Sequence, residues 1–587
     1  MIKPRHTNHY SFRNFAVLGF VLCITMVVLL GAMNQIPLYD DKAYLNNALV
    51  FGGRISKTAV QGPFAEERPP LLWWTLASLL AMRVNLFVVN LLVPFYGLIL
   101  MLAAFILAYE ITSDLRIAVF STILLGFNSF FLVFSSLLLS DIPGAGLATV
   151  FMLCLYVGIV KQKKNYLIIA GPLLALNIIM RDQNLILIPI GLFFCILSLR
   201  TKRINKILLM FATTFALAIP TASYGPIVTL QTLSALLTPV IIGAPYKTPL
   251  TSVAISYFIM YLIVITFFSF YAFIAITNSH TSERKKQYAT LALSGELFTL
   301  MIYPYLWDNF RLGAEFQIAG KGILARLIAH DIMAITVGQG MNLTAGQRLS
   351  WWITGIPFML TPTLLALSIL GIVLLIKIKE QESLNLLLPW FIITLAFTLW
   401  QSQIEARYLA PSLPPLVIFA GVGARWLELR LKRYFNKIVL PIILLSENLV
   451  MHGLSINLTW INPLVVNAFD YFITQPTGWW SSYMRTIRSG NGASVMLDPL
   501  YCLVAMIGIA TPAIILFGHL SSIRQSSINY QGSSISNKIR TLTWRTPKPF
   551  LSKKLLGISN GLTCDYCGRQ FSRGSRYCDK CGRPLSQ

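Results

Sequence analysis

The sequence predicts an all-α polytopic membrane protein of about fourteen helices, followed by a small cysteine-rich module at the C-terminus. Of its 587 residues, 56% are hydrophobic and only 12% are charged, whereas soluble domains average about 45–50% and about 25%. A soluble fold of this length cannot bury so much apolar surface, and a disordered chain would be far more polar. The composition therefore excludes a soluble enzyme. The spacing of the apolar runs and of four cysteines supplies the rest of the prediction.

Apolar runs of about 17–25 residues are long enough to cross the hydrocarbon core of a bilayer as helices. The chain contains fourteen such runs, some of them short: 14–33, 85–108, 117–138, 142–160, 165–180, 185–199, 206–224, 251–277, 288–304, 353–377, 384–400, 408–423, 437–450 and 499–519. We interpret each run as one transmembrane helix.

Basic residues predict the orientation of these helices, because Lys and Arg favour cytoplasmic loops. They cluster in every second loop, at 161–164, 200–206, 284–286, 377–379 and 425–437. The sequence thus predicts a multi-pass protein of the cell membrane with both termini in the cytoplasm. Most of the net charge of +25 then lies in inner loops and in the tail after residue 520. There it would face anionic membrane lipids, and nucleic acid is not an expected partner.

The chain has only 22 acidic residues, so their positions are informative. Asp40 and Asp41 directly follow the first span, and Asp141 lies between two later spans. The predicted topology places all three on the outer side. We expect a short amphipathic helix over 40–51 that lies at the membrane interface, with Asp40 and Tyr44 on one face.

Three arginines are predicted on the same side as these acids, at Arg68, Arg181 and Arg407. An outward cavity with carboxylates and several guanidinium groups suits a phosphate-bearing substrate and a general base. For Asp141 taken alone a second interpretation stays open. It could be an ordinary loop residue that caps the next helix, with Pro143 in the first turn of that helix.

Several of these residues belong to longer motifs. The motifs are Asp40-Asp41-Lys42-Ala43-Tyr44, Glu67-Arg68-Pro69-Pro70-Leu71 followed by Trp74, Asp141 with Pro143, and Glu405-Ala406-Arg407-Tyr408-Leu409. Together, over roughly residues 10–425, they resemble the GT-C membrane glycosyltransferases, in the branch of protein O-mannosyltransferases and lipid A aminoarabinose transferases. The resemblance implies transfer of a sugar from a polyprenyl-phosphate donor to a protein, lipid or glycan acceptor at the outer face. It also implies inversion at the anomeric carbon.

The resemblance also implies roles for individual side chains. Asp40 would accept the proton of the acceptor hydroxyl as that hydroxyl attacks the sugar C1. The departing lipid phosphate gains negative charge and needs a positive partner. Arg68, Arg181 and Arg407 are the candidates, because a guanidinium group can bind phosphate through two hydrogen bonds.

The remaining motif residues receive less specific roles. Tyr44 and Tyr408 are assigned to substrate binding, and Asp41 and Asp141 could orient the acceptor or hold a divalent cation. Two positions depart from the family pattern. Asp41 stands where the family often has Glu, and Asp182 could neutralise the arginine that precedes it.

The tail carries a separate motif of two C-x-x-C-G pairs separated by ten residues. Its cysteines, Cys564, Cys567, Cys578 and Cys581, could supply four thiolates to one tetrahedral zinc ion. A redox or disulfide pair is the alternative, which a reducing cytoplasm disfavours. The zinc would be structural, because metal binding would supply the folding energy of so small a module. We expect a docking or regulatory role toward a cytoplasmic protein.

The chain is therefore predicted to contain a GT-C-like glycosyltransferase domain over 1–520, a flexible basic linker over 521–560 and a zinc ribbon over 561–587. Two other functions stay open. A polytopic transporter or lipid flippase would fit the number of spans, although the two halves of the chain show no repeat. An assembly or acceptor-binding protein without activity could act through the ribbon.

Overall fold

Helices make up nearly all of the structure, a computed structural model. It describes residues 7–32, 39–53, 69–199, parts of 286–301, 345–400, 406–431, 439–458, 499–526, 562–563 and 570–571. The chain divides into two compact units, Met1–Ile539 and Arg540–Gln587. The described part of the first unit is helical, and that of the second is a pair of short strands.

The helices of the first unit are numbered in chain order. They are α1 Thr7–Ala32, α2 Tyr39–Phe51, α3 Leu71–Ala81, α4 Leu86–Asn90, α5 Leu92–Thr112, α6 Leu115–Gly126, α7 Ser129–Ser136, α8 Asp141–Ile159, α9 Lys164–Met180, α10 Leu187–Leu199, α11 Ala345–Leu360, α12 Pro362–Lys377, α13 Gln381–Trp400, α14 Leu413–Leu431, α15 Val439–Leu458 and α16 Pro499–Ser526. Two 3-10 turns, Asp182–Ile186 and Ala406–Ser412, precede α10 and α14.

Several of these helices have the length and apolar character of membrane spans. Within the described residues, Val88–Thr112, Asp141–Ile159 and Gln381–Leu399 meet both criteria, and α6 with α7 forms a fourth span if the pair is counted as one. Shorter apolar helices accompany them. The prediction of an all-helical core with apolar spans is thus confirmed, while the total of fourteen stays a prediction. The predicted spans 206–224 and 251–277 lie outside the described residues.

The outward faces of the peripheral helices are apolar. Phe20 on α1, Ile369 on α12, Ile442 on α15 and Ile514 on α16 are each more than half exposed. Large apolar side chains in such numbers are rarely left to water. These faces therefore suit contact with lipid chains.

The structure divides the predicted run 353–377 into α11 and α12 at Thr361. It also corrects the single helix that the sequence predicted over 117–138. The chain forms α6 and α7 instead, with a bend of 63° between them. Asn128 causes the break, because its side-chain oxygen accepts a hydrogen bond from the backbone N–H of Phe131 at 3.1 Å and so caps α7. Its amide nitrogen also reaches the carbonyl oxygen of Met359 at 3.5 Å.

The helix predicted over 40–51 is confirmed as α2, but the exposed polar face expected of an amphipathic helix is not found over residues 43–50. Every residue from 43 to 50 is buried by protein, including the polar side chains of Asn46 and Asn47. The helix packs tightly on α3, since a Cβ atom added to Gly52 would lie 2.8 Å from Cβ of Leu80. Tertiary packing thus encloses α2, and its location at the membrane interface stays a prediction.

Glycines allow α14 to pack closely between α6 and α12. A Cβ atom on Gly421 would lie 2.9 Å from the carbonyl oxygen of Ile117 in α6. On the α12 side, a Cβ atom on Gly371 would lie 2.7 Å from the carbonyl carbon of Phe419. Helix backbones in membranes approach this closely only where residues are small. The position of α14, and of the 3-10 turn that leads into it, is therefore fixed from two sides.

The long helix α16 contains Pro512, which has no N–H to donate to the carbonyl group of Gly508 one turn earlier. The buried hydroxyl group of Tyr96 in α5 donates to that carbonyl at 3.2 Å. An unsatisfied carbonyl is costly inside a membrane protein. This hydrogen bond therefore compensates for the proline and ties α16 to α5.

Ionic groups join the helices at the end of α8 that is distant from Asp141. His519 contacts Glu110 at 2.8 Å and the hydroxyl oxygen of Tyr166 at 2.6 Å, and Lys161 lies 4.0 Å from Glu110. Helix α8 has nineteen residues and is therefore about 28 Å long. Asp141 begins this helix, and the cluster lies near its other end. The basic loop that begins at Lys161 and the acidic position at Asp141 therefore lie at opposite ends of α8.

In the second unit, strand β1 (Leu562–Thr563) pairs with strand β2 (Gln570–Phe571) as an antiparallel hairpin. Leu562 lies opposite Phe571, and Thr563 opposite Gln570. The four cysteines of the predicted ribbon lie outside the described residues. The zinc ribbon stays a prediction.

Candidate active site

Asp141 is the first residue of α8, and Ser140 is its N-cap. The Asp141 side chain is almost completely buried. A carboxylate in the first turn is favoured by the positive end of the helix dipole, and Pro143 is tolerated there because the first-turn N–H groups have no intrahelical partner. The structure thus corrects the interpretation of Asp141 as a loop residue that caps the helix, because Ser140 occupies the N-cap position and Asp141 is helical. Asp141 also makes a direct ionic contact.

The partner of Asp141 is Arg181. Its Nη1 atom contacts Oδ1 of Asp141, and the exposed fractions of the two side chains are 6% and 2%. The edge of the guanidinium group formed by Nε and Nη2 faces Gln183. The Oε1 atom of Gln183 accepts hydrogen bonds from Nε at 2.7 Å and from Nη2 at 2.5 Å. A buried ion pair is tolerated when further hydrogen bonds satisfy its remaining atoms. Gln183 provides them for the guanidinium group.

The local fold holds Arg181 in this orientation. The residue follows α9 with an extended backbone, and the 3-10 turn begins directly after it. Asn184 within that turn donates from its backbone to the Arg181 carbonyl at 3.0 Å and from its side chain to Oδ1 of Asn177 at 2.7 Å. Gly144 in α8 leaves room for the turn, since a Cβ atom there would lie 2.7 Å from Nδ2 of Asn184.

Tyr408 brings a second arginine to the same place. The Cζ atom of Arg181 lies 5.3 Å from the centroid of the Tyr408 ring, and that of Arg407 lies 5.6 Å from it. Both distances are within the range of cation–π attraction. The backbone of the turn is held by Thr398 of α13, whose hydroxyl group donates to the Tyr408 carbonyl at 2.8 Å. Tyr408 is buried and Arg407 is half-buried.

Tyr44 connects this cluster to α2. Its hydroxyl oxygen lies 3.2 Å from Oγ of Ser140, the residue before Asp141. Asp40 and Asp41 are in the first turn of α2, and Asp40 precedes Tyr44 by four residues, about 6 Å along the helix axis. The side chains of Asp40 and Asp41 lie outside the described residues.

The structure thus brings together five of the side chains that the sequence singled out. They are Tyr44, Asp141, Arg181, Arg407 and Tyr408. Arg68 lies outside the described residues, as does the side chain of Asp182. In the described part of the chain, the carboxylate that contacts Arg181 is Asp141.

Two contacts of the site were missed by sequence reasoning. Gln183 is only two residues from Arg181, so its polar side chain beside a basic one is a signal that could have indicated the contact. Ser140 is 96 residues from its partner Tyr44, and no local pattern indicates that pair. Among the described residues, no group of three or more His, Cys, Asp or Glu side chains could hold a metal ion. A divalent cation at Asp41 and Asp141 stays a prediction.

Residues 67–224 match the family described as dolichyl-phosphate-mannose-protein mannosyltransferase. The matched segment includes Arg68, Asp141 and Arg181, and it begins after α2 and ends before the Arg407 turn. No curated protein matches the chain. The family match and the apolar helices support a membrane glycosyltransferase of the GT-C type.

Proposed function

We propose that the chain is an inverting membrane glycosyltransferase that moves a sugar from a polyprenyl-phosphate donor to an acceptor hydroxyl group at the outer membrane face. The observation that carries the proposal is the cluster of Asp141, Arg181, Tyr408 and Arg407 at one end of the helices. Two of these residues lie in the segment that matches the mannosyltransferase family. That family's description names dolichyl-phosphate mannose and a protein acceptor, and we propose the same chemical classes here.

In this reaction Asp40 is the general base. Its carboxylate takes the proton of the acceptor hydroxyl group, whose oxygen forms a bond to the sugar C1 from the face opposite the leaving group. The bond between C1 and the phosphate oxygen breaks, and the lipid phosphate departs with the bonding electrons. The position of Asp40 one turn before Tyr44, which contacts the residue next to Asp141, supports this assignment.

The arginines have different roles in this proposal. Arg181 is paired with Asp141 and held by Gln183, so its charge is largely neutralised. Arg407 is half-buried beside the Tyr408 ring, and with Arg68 it provides the positive charge that stabilises the departing phosphate. Asp41 orients the acceptor or holds a divalent cation.

The experiment uses the purified full chain in liposomes, with dolichyl-phosphate mannose labelled in the sugar and an acceptor peptide rich in Ser and Thr. The anomeric configuration of the product is compared with that of the donor by NMR. We expect loss of labelled donor, labelled peptide and an inverted linkage. Retention of configuration would contradict a single displacement with Asp40 as base. Movement of the lipid across the bilayer without sugar transfer would favour a flippase instead.

We also propose that the second unit binds one structural zinc ion through Cys564, Cys567, Cys578 and Cys581. The donor set is suitable, because four thiolates complete a tetrahedral site and leave no open position for catalysis. The pairing of Thr563 with Gln570 closes a hairpin loop whose sequence contains the first cysteine pair. Such a unit would serve to dock a cytoplasmic protein.

A further inference from the structure

We infer that Gln183 is a positioning residue that sets the direction of the Arg181 guanidinium group and, through it, of the Asp141 carboxylate. The inference rests on the proposed function, since it concerns the rate of sugar transfer at this site. The family resemblance assigns no role to Gln183.

The geometry of the guanidinium group carries the inference. Nε and Nη2 form one edge of the planar group, and both donate to the same oxygen atom of Gln183, at 2.7 Å and 2.5 Å. Because the group is rigid and planar, fixing this edge also fixes the direction of Nη1. Nη1 is the atom that contacts Asp141. Gln183 therefore determines where the charge of Arg181 meets the carboxylate.

Other contacts restrain the same side chain from different directions. The Tyr408 ring lies against the guanidinium group at 5.3 Å, and Asn184 holds the backbone of Arg181 through its carbonyl. The ring and the backbone contact limit the position of the group but not its rotation within its own plane. The double hydrogen bond to Gln183 limits that rotation.

A neutral side chain is important at this position. Gln183 is neutral, so it holds the guanidinium group without competing with the Asp141 carboxylate for its charge. A glutamate of the same size would replace the neutral acceptor by a carboxylate, and its contact with the guanidinium group would become an ion pair. The guanidinium group would then turn toward position 183, and Asp141 would lose part of its stabilisation.

A small rotation of the Arg181 guanidinium group should affect the rate of sugar transfer. Asp141 follows Ser140, which contacts Tyr44 on the helix that carries Asp40. A reacting group misplaced by about 1 Å can lower a rate by about 100-fold. Loss of Gln183 should therefore reduce kcat and leave the binding of the lipid donor largely unchanged.

The test measures kcat and KM for sugar transfer by the full chain in liposomes. Gln183→Ala is expected to lower kcat by about 10-fold or more with KM for the donor changed by less than about 3-fold, because positioning acts on the transition state. Gln183→Glu should lower kcat at least as much despite its equal size. Gln287→Ala is the control, because Gln287 is also buried and contacts Gln162 at the opposite end of α8.

A double variant separates positioning from a general loss of structure. Arg181→Lys keeps the positive charge but has no planar edge for Gln183 to hold, so adding Gln183→Ala to it should lower kcat no further. A full additional loss in the double variant would overturn the inference. Wild-type kcat in Gln183→Ala, or in Gln183→Glu if the alanine variant does not fold, would overturn it as well.

The outcome for the wild-type protein distinguishes this inference from the proposed function. A folded wild-type chain that transfers no sugar would overturn both. An active wild-type chain with an unaffected Gln183 variant would overturn the inference alone.

Discussion

Replacing Gly371 with alanine should displace the helix that leads out of the candidate site. Gly371 is in α12, where it meets Phe419 of α14, and an added Cβ atom would lie 2.7 Å from the Phe419 carbonyl carbon and nearer still to its oxygen. Carbon atoms in contact normally lie about 3.5–4.0 Å apart. The two helix backbones must therefore separate by about 1 Å to admit one methyl group.

Two effects follow from this separation. Overpacking of a well-packed interface costs about 1–3 kcal/mol of stability. The 3-10 turn Ala406–Ser412 leads directly into α14, so the shift also moves Arg407 and Tyr408. A displacement of about 1 Å at a catalytic site can cost about 100-fold in rate, and we expect kcat to fall by roughly 10-fold to 100-fold.

The assay combines thermal unfolding in detergent with the rate of sugar transfer in liposomes. Gly19→Ala is the matched control, because nothing lies within 4 Å of an added Cβ atom at that position in α1. There alanine should leave activity unchanged and stabilise the helix by up to about 1 kcal/mol. A Gly371→Ala variant with the thermal midpoint and kcat of the wild type would contradict this close packing. A loss of stability and activity in Gly19→Ala as large as in Gly371→Ala would contradict it as well.

Three further predictions concern other parts of the molecule. Tyr96→Phe removes the hydroxyl donor to the Gly508 carbonyl and should cost about 1–3 kcal/mol in thermal unfolding, so an unchanged midpoint would contradict this role. Asp141→Ala and Arg181→Ala should each lower the free energy of unfolding by about 3–5 kcal/mol, because each leaves a buried charge without its partner. The variant with both substitutions should lose less stability than the sum of the losses in the two single variants. Losses that simply add would argue against the ion pair. Cys564→Ser should lower the zinc content, measured by plasma mass spectrometry, from one ion per chain toward none, and full retention would argue against the ribbon.

The helices that the sequence predicts well are those whose boundaries depend on local signals. The apolar run 142–160 becomes Asp141–Ile159, because an acid and a proline mark its start and a basic loop follows its end. The run 117–138 becomes two helices. The break at Asn128 depends on a cap and on a contact with Met359, and hydropathy alone does not report either.

The site shows the same division between local and tertiary information. The motifs around Asp141 and Arg407 indicate acidic and basic side chains on one side of the membrane, and the structure places Asp141 and Arg407 in one cluster. The pairing of Arg181 with Asp141 joins α8 to the end of α9, and only tertiary packing specifies it. The burial of α2 is likewise a tertiary effect, since Asn46 and Asn47 look solvent-exposed in the sequence.

The initial rate of mannose transfer from dolichyl-phosphate mannose by the purified full chain, measured for the wild type and for Asp40→Asn, tests most directly whether the chain transfers sugar with Asp40 as the base. A general base contributes about 10²–10⁴-fold, so the variant should lose that factor while keeping its thermal midpoint. Glu382→Gln, an exposed carboxylate at the start of α13, should transfer at the wild-type rate. Equal rates for the wild type and Asp40→Asn would contradict Asp40 as the base, and no transfer by a folded wild-type chain would contradict the glycosyltransferase function.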